Sequence, residues 1–235
     1  MMDDRRTNLP IKQWPEEERP RERLHQYGAE SLSDAQLMAI LLGTGDAGRS
    51  AVGVAVDLLS RYRDLREMST AGVSEICRVP GIGKAKAARL LAAMELGKRI
   101  QAFPLKEGDL IRGSRDVFES CHPYLRDLKK EVFRVVLLNG KNRVIRTLTI
   151  SEGSLTACLV HPREVFAPAI RESSASVLLI HNHPSGDPTP SPEDIEMNKR
   201  LVQAGELIGI KVLDHLVIGD GRYLSFVDQG LMTAG

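Results

Sequence analysis

The chain has 235 residues, room for one or two domains and short for three. Apolar residues make up 42% and charged residues 27%, which excludes a chain disordered over most of its length. A formal net charge of +1 excludes bulk electrostatic attraction to nucleic acid or a membrane, so any such partner must be argued from a local feature. No apolar run approaches the roughly 18–20 residues that cross a bilayer. The charged, proline-punctuated start MMDDRRTNLPIKQWPEEERPRER is unlike a signal peptide, so the expectation is a cytoplasmic protein with no membrane partner.

Residues 1–23, with prolines at 10, 15 and 20, read as a polar and mobile leader. Helical periodicity then begins. In LSDAQLMAILL (32–42), Leu37, Ile40 and Leu41 fall on one face, Ser33 suits the N-cap and Gly43 the stop. A second helix is expected over 50–62, where Val52, Val56 and Leu59 recur, and a third over about 84–100. The period is lost in QAFPLKEG (101–108), a plausible linker, giving domains 1–102 and 103–235.

Beyond the linker the signals turn to β. VFRVVLLN (132–139) and RVIRTLTI (143–150) are expected strands joined by a turn at Asn139-Gly140-Lys141-Asn142. A helix over about 162–172, a buried strand over 177–180, a helix over about 192–206, a strand over 211–218 and a turn at Gly219-Asp220-Gly221 complete a mixed α/β half. Cys77, Cys121 and Cys158 are widely spaced with no CxxC pair and read as ordinary small residues, which leaves metal chemistry to histidines and carboxylates.

The densest chemistry lies in LLIHNHPSGDPTPSPED (178–194). In a strand, residues two apart share a face, so His181 and His183 point the same way where the strand ends. A loop rich in Pro, Ser and Gly then leads to a helix start near Ser191, whose first turn carries Asp194. Two imidazoles and a carboxylate suit zinc, and three protein ligands leave a fourth position for a water made acidic by the cation. Ser191-Pro192-Glu193-Asp194 is also an ordinary helix start, with Ser as N-cap and an acid three residues on. His161, His215 and Asp214 lie near expected strand ends. Two readings stand for them: one steadies a ligand imidazole by its other side, or all are buried or turn-forming residues.

HNHPSGDPTPSPED resembles the JAMM metallopeptidase signature, HxH followed after ten residues by Asp with Ser three before it. The resemblance extends to the RadC family through PEEERPRERL, LSDAQLMAILLGTG, VPGIGKAKAARL, LVHPREVF and DHLVIGDGRYLSF. It implies an α+β protein in which a helical helix-hairpin-helix domain precedes a mixed α/β JAMM-type, cytidine deaminase-like metallohydrolase domain. It further implies one zinc per chain held by His181, His183 and Asp194, and an oxyanion steadied by Ser191. The general base it implies is Glu131, with Glu152 and Glu164 as rivals. The substrate implied is an unidentified protein or peptide, cut at a peptide or isopeptide bond.

VPGIGKAKA (79–87) is similar to the turn of a helix-hairpin-helix motif, in which Gly81 and Gly83 permit a tight turn and backbone N–H groups at the next helix can hold a phosphate. Residues 74–101 carry six Lys/Arg against two acids, so DNA contact through residues 79–90, with Lys84 and Lys86, is the expectation, beside the plainer reading of an αα turn with a solvated basic face. Two alternatives to the hydrolase stay open: a DNA-binding accessory protein with a non-catalytic metal site, and a metal-dependent nuclease.

Overall fold

The computed structural model describes residues 9–101, 104–153 and 160–232. The chain divides into two compact units, Met1–Gly97 and Lys98–Gly235. Cys158 lies outside the described residues; Cys77 is half-buried and Cys121 buried.

The first unit is helical: α1 (Pro20–Tyr27), α2 (Asp34–Leu42), α3 (Ala51–Leu59), α4 (Leu65–Ser69), α5 (Val73–Ile76) and α6 (Lys84–Gln101), which runs across the division. Ser33 starts α2 through a capping box, its hydroxyl accepting from Gln36 N while the Gln36 side chain accepts from Ser33 N, and Gly43 ends it. Ser50 caps α3 in the same way by accepting from Gly53 N. Such caps contribute about 1 kcal/mol each. Leu42, Val52, Leu58, Met68, Ile76 and Leu90 bring the helices together around one core.

The leader expectation is corrected over its described part. Residues 9–23 hold two single 3-10 turns, Ile11–Gln13 and Glu16–Glu18, and the start of α1. Trp14 between the turns is 6% exposed and belongs to the core. Polar flanks hid it, because one buried indole outweighs many solvated neighbours: sequestering a large apolar side chain is worth roughly 1.5–3 kcal/mol.

The second unit opens with α7 (Ser114–Leu125), for which the sequence reading gave no expectation, followed by β1 (Glu131–Leu138), β2 (Val144–Gly153), α8 (Pro162–Arg171), β3 (Ser176–Asn182), α9 (Pro192–Ile208), β4 (Lys211–Ile218) and β5 (Tyr223–Ser225). The sheet order is β2-β1-β3-β4-β5, with β3 and β4 parallel and the other neighbours antiparallel. Strand alternation sorts its side chains into two cores. Phe133, Val135, Leu137, Val177 and Leu179 meet Val165, Phe166, Met197 and Leu201 of α8 and α9, while Val132, Val136, Leu138, Leu178 and Ile180 meet Val117, Cys121 and Leu125 of α7. The architecture is thus α+β, with a helical part followed by a mixed sheet covered by helices.

Two consequences of this topology position the site. Because β1 runs antiparallel to β3, the first residue of β1 lies at the same end of the sheet as the last residues of β3. Because β3 and β4 are parallel, the chain leaves that end through α9, whose N-terminus also lies there; crevices at the carboxyl ends of parallel strands recur as ligand sites for this reason.

Candidate metal centre

His181 and His183 share the α8/α9 face at the tip of β3, and Asp194 stands in the first turn of α9. Their donor atoms converge. His181 Nε2 is 3.0 Å from His183 Nε2, Asp194 Oδ1 is 3.5 Å from His181 Nε2, and Asp194 Oδ2 is 3.3 Å from His183 Nε2. Donors about 2.0–2.1 Å from a tetrahedral zinc stand about 3.3 Å from one another, so this triangle has the dimensions of one face of such a shell. These three residues form a cluster able to hold a metal ion.

The far side of each candidate ligand is also held. His183 Nδ1–H donates to the Asp187 carbonyl at 2.8 Å, which leaves Nε2 with the lone pair. His181 Nδ1 lies 2.8 Å from His215 Nε2, so a cation bound at His181 Nε2 would place the proton on Nδ1, where His215 can accept it. The Asp194 carboxylate accepts from Ser191 N and Ser191 Oγ, both at 2.7 Å, through Oδ2. The capping box and the donor triangle are therefore one structure: the start of α9 aims the carboxylate.

His215 reaches this place through an irregularity in β4. Val177 pairs with Val212, but Leu178 pairs with Asp214, so Leu213 is an extra residue and the alternation of β4 changes sides. His215 consequently faces the same way as His181, fully buried, with Phe226 stacked on it at 4.6 Å between ring centroids. Sequence pattern gave no means of locating that bulge. Asp214 turns to the other face, where its carboxylate accepts from Ser225 Oγ, His215 N and Val227 N. His161 has a separate task as N-cap of α8, accepting from Arg163 N.

The loop between His183 and Asp194 is pinned by the segment that follows β4. Asp220 N donates to Gly186 O, and His183 N donates to Ile218 O. Gly219 lies so close that an added Cβ would stand 2.5 Å from Gly186 O and 2.8 Å from Pro188 Cδ. Any larger residue there displaces the segment whose Asp187 carbonyl orients His183.

Electrostatics follow the burial. Burial lowers the proton affinity of His181, against an opposing pull from Asp194, and lowers that of His215 further. His183 is raised, chiefly by its hydrogen bond with Asp194. Burial by itself would raise Asp194, but the hydrogen bonds to His181 and His183 outweigh it and hold the carboxyl well below its ordinary value. His181 is thus neutral and Asp194 ionised, the states a divalent cation needs.

Glu131 opens β1 and lies two residues before Phe133, which pairs with His181 and stacks against its ring. It therefore shares the face of His181, and its charge raises the proton affinity of both His181 and His183. The rival carboxylates stand elsewhere. Glu152 is exposed and pairs with Val132, whose side chain lies in the α7 core on the opposite face. Glu164 is exposed in the first turn of α8, 3.2 Å from Arg163.

In the first unit the expected turn is present between α5 and α6. Gly81 has φ +85°, and a Cβ there would meet Asp46 Oδ2 at 2.9 Å, so the tight geometry requires glycine. Gly83 is exposed with open space around it, and Lys84 beside it is exposed. Lys86 departs from expectation: its ammonium donates to the carbonyls of Thr44, Gly45 and Gly81 at 2.7, 3.0 and 2.8 Å. An ammonium has three donors, so Lys86 ties the hairpin to the preceding loop and has none to spare for a phosphate.

Comparison with known proteins agrees with this architecture. Residues 111–231 match the RadC-like JAB domain, and residues 11–88 match the UPF0758 N-terminal region. The chain belongs to the UPF0758 family of RadC-like proteins. It is 53% identical over 224 residues to a UPF0758 protein of Geotalea uraniireducens, covering 94% of this chain and 98% of that one. A UPF0758 protein of Trichlorobacter lovleyi is 54% identical over 229 residues (96% and 100% covered), and one of Methanosarcina mazei 46% over 226 residues (96% and 98%). Among the described residues, no helix is long and apolar enough to cross a membrane.

Proposed function

We propose that the chain is a zinc-dependent hydrolase of JAMM metallopeptidase type that cuts a peptide or isopeptide bond. The observation that carries this reading is the donor triangle of His181, His183 and Asp194 with each ligand oriented from behind. Two imidazoles and one carboxylate suit zinc, which when bound lowers the pKa of water toward neutrality and polarises a carbonyl. Glu131 accepts the proton released as water attacks and returns it to the departing amine nitrogen; its place on the ligand face supports that role. Ser191 holds Asp194 by donating its single O–H to the carboxylate, so the oxyanion role that its match to the JAMM signature implies requires that hydroxyl to turn from Asp194 to the substrate oxygen.

The test uses full-length Glu131→Gln protein as a trap. Incubated with a cell-derived protein mixture, it is expected to retain a substrate that the wild type releases as two fragments, with about one zinc per chain by elemental analysis. Enrichment of nothing by the variant, with no cleavage by the wild type, would leave an accessory protein with an idle metal site and overturn the reading.

A second reading, that the first unit touches a DNA backbone, is supported by the open, exposed Gly83 at the start of α6 beside Lys84. Lys84→Glu is expected to weaken binding to any duplex and to reduce the slope of log affinity against log salt by about one. Equal affinity and slope in the two proteins would remove this reading. Lys86→Glu is not equivalent, since it breaks the loop anchoring and lowers thermal stability.

A further inference from the structure

The middle residue of the His181-Asn182-His183 tip has no access to the cluster. By strand alternation Asn182 points to the face opposite the two imidazoles, and it is fully buried. Its carboxamide is nevertheless engaged at both ends. Oδ1 accepts from Val132 N at 2.8 Å, and Nδ2 donates to Lys130 O at 3.1 Å. These are the residues immediately before and after Glu131.

The backbone ladder between β1 and β3 ends at the pair Phe133–His181. Beyond it, Glu131 and Val132 have β2 on one side, an edge strand of the sheet. On the β3 side the Asn182 side chain takes over where the ladder stops, as an amide replacing a peptide group. Serving Val132 N–H and Lys130 C=O together takes a side chain that carries both an acceptor and a donor and reaches both, as this carboxamide does.

We infer that Asn182 is a positioning residue for Glu131, gripping the two peptide groups that flank it so that the carboxylate is held at the level of His181 and His183. The HxH tip then does two jobs, its outer residues presenting imidazoles and its middle residue fixing the strand that brings the base. The inference rests on the hydrolase reading for what Glu131 does, but not for the existence of the grip. A base must be held to within about half an ångström to act in one geometry, and the grip adds to the pairing with β2 in fixing the backbone of Glu131.

The test compares full-length wild type with Asn182→Ala and with Asn182→Thr, a β-branched residue suited to a strand but too short to span both contacts. By NMR, amide exchange at Val132 is expected to quicken at least tenfold and the backbone order parameter of Glu131 to fall, in metal-free and metal-loaded protein alike. Zinc affinity is expected to change less than threefold. On a substrate cut by the wild type, kcat is expected to fall about 10- to 100-fold with little change in KM, and Asn182→Ala is expected to add nothing in the Glu131→Gln background. Unchanged Val132 exchange and Glu131 order in both variants would overturn the inference, as would a loss of zinc or additive effects in the double variant. Failure of Glu131→Gln to slow hydrolysis, with the NMR changes present, would count against the hydrolase assignment and leave the grip standing.

Discussion

Glu131→Gln is expected to lower kcat by about 10²- to 10⁴-fold, the range in which a positioned general base contributes, while zinc content stays at one per chain. Glutamine keeps the length and shape of the side chain and removes its capacity to take a proton. The ligand triangle does not include Glu131, so the fold and the metal site are expected to persist. The controls come from the two rivals. Glu152 pairs with Val132 on the other face, and Glu164 lies in α8 beside Arg163, so Glu152→Gln and Glu164→Gln are expected to leave kcat within about threefold, as exposed substitutions do. A collapse of turnover in Glu152→Gln with full turnover in Glu131→Gln would reverse the assignment of the base.

That choice illustrates what the sequence made legible. Alternation along VFRVVLLN and LLIHNH was enough to place His181 and His183 on one face, and Ser191 with Asp194 at a helix start, because each rests on a local period or a cap. Favouring Glu131 over Glu152 and Glu164 needs the pairing of β1 with β3, which joins residues 38 to 48 apart and is a matter of topology rather than local pattern. His215 depended on a one-residue bulge at Leu213, which inverts the alternation that sequence reasoning relies on. Lys86 misled for the opposite reason. A lysine beside a glycine turn looks like a phosphate contact until the carbonyls of Thr44 and Gly45, more than 40 residues away, are seen to occupy it.

Asp194→Asn separates ligation from folding at the one residue that serves both. The amide oxygen can still accept from Ser191 N, so α9 keeps most of its cap and the loss of stability is expected to be about 1 kcal/mol or less. Metal binding is a different matter, since the variant loses the only anionic donor of the triangle. Removing one charge of a buried pair costs about 3–5 kcal/mol, so zinc affinity near pH 8 is expected to fall on the order of 10²- to 10³-fold.

The pH dependence of metal uptake gives a second, independent sign. In metal-free protein the proton affinity of His183 is raised, mainly by its hydrogen bond with Asp194, and a cation must displace that proton. Apparent zinc affinity in the wild type should therefore climb with pH through the raised pKa of His183 and become level above it. His181 adds no step in that range, because burial already keeps it neutral. In Asp194→Asn the raise on His183 is withdrawn, so the climb is expected at lower pH while its plateau drops. Without metal, the same pair stabilises the fold from above the usual carboxyl range of about 4 up to about 6.5, and that stability is lost as pH rises through the raised pKa of His183. The variant is expected to lack this dependence. An uptake curve whose midpoint moves upward in Asp194→Asn, or does not move, would mean that Asp194 is not the group holding the proton on His183, and the donor triangle would lose its carboxylate corner.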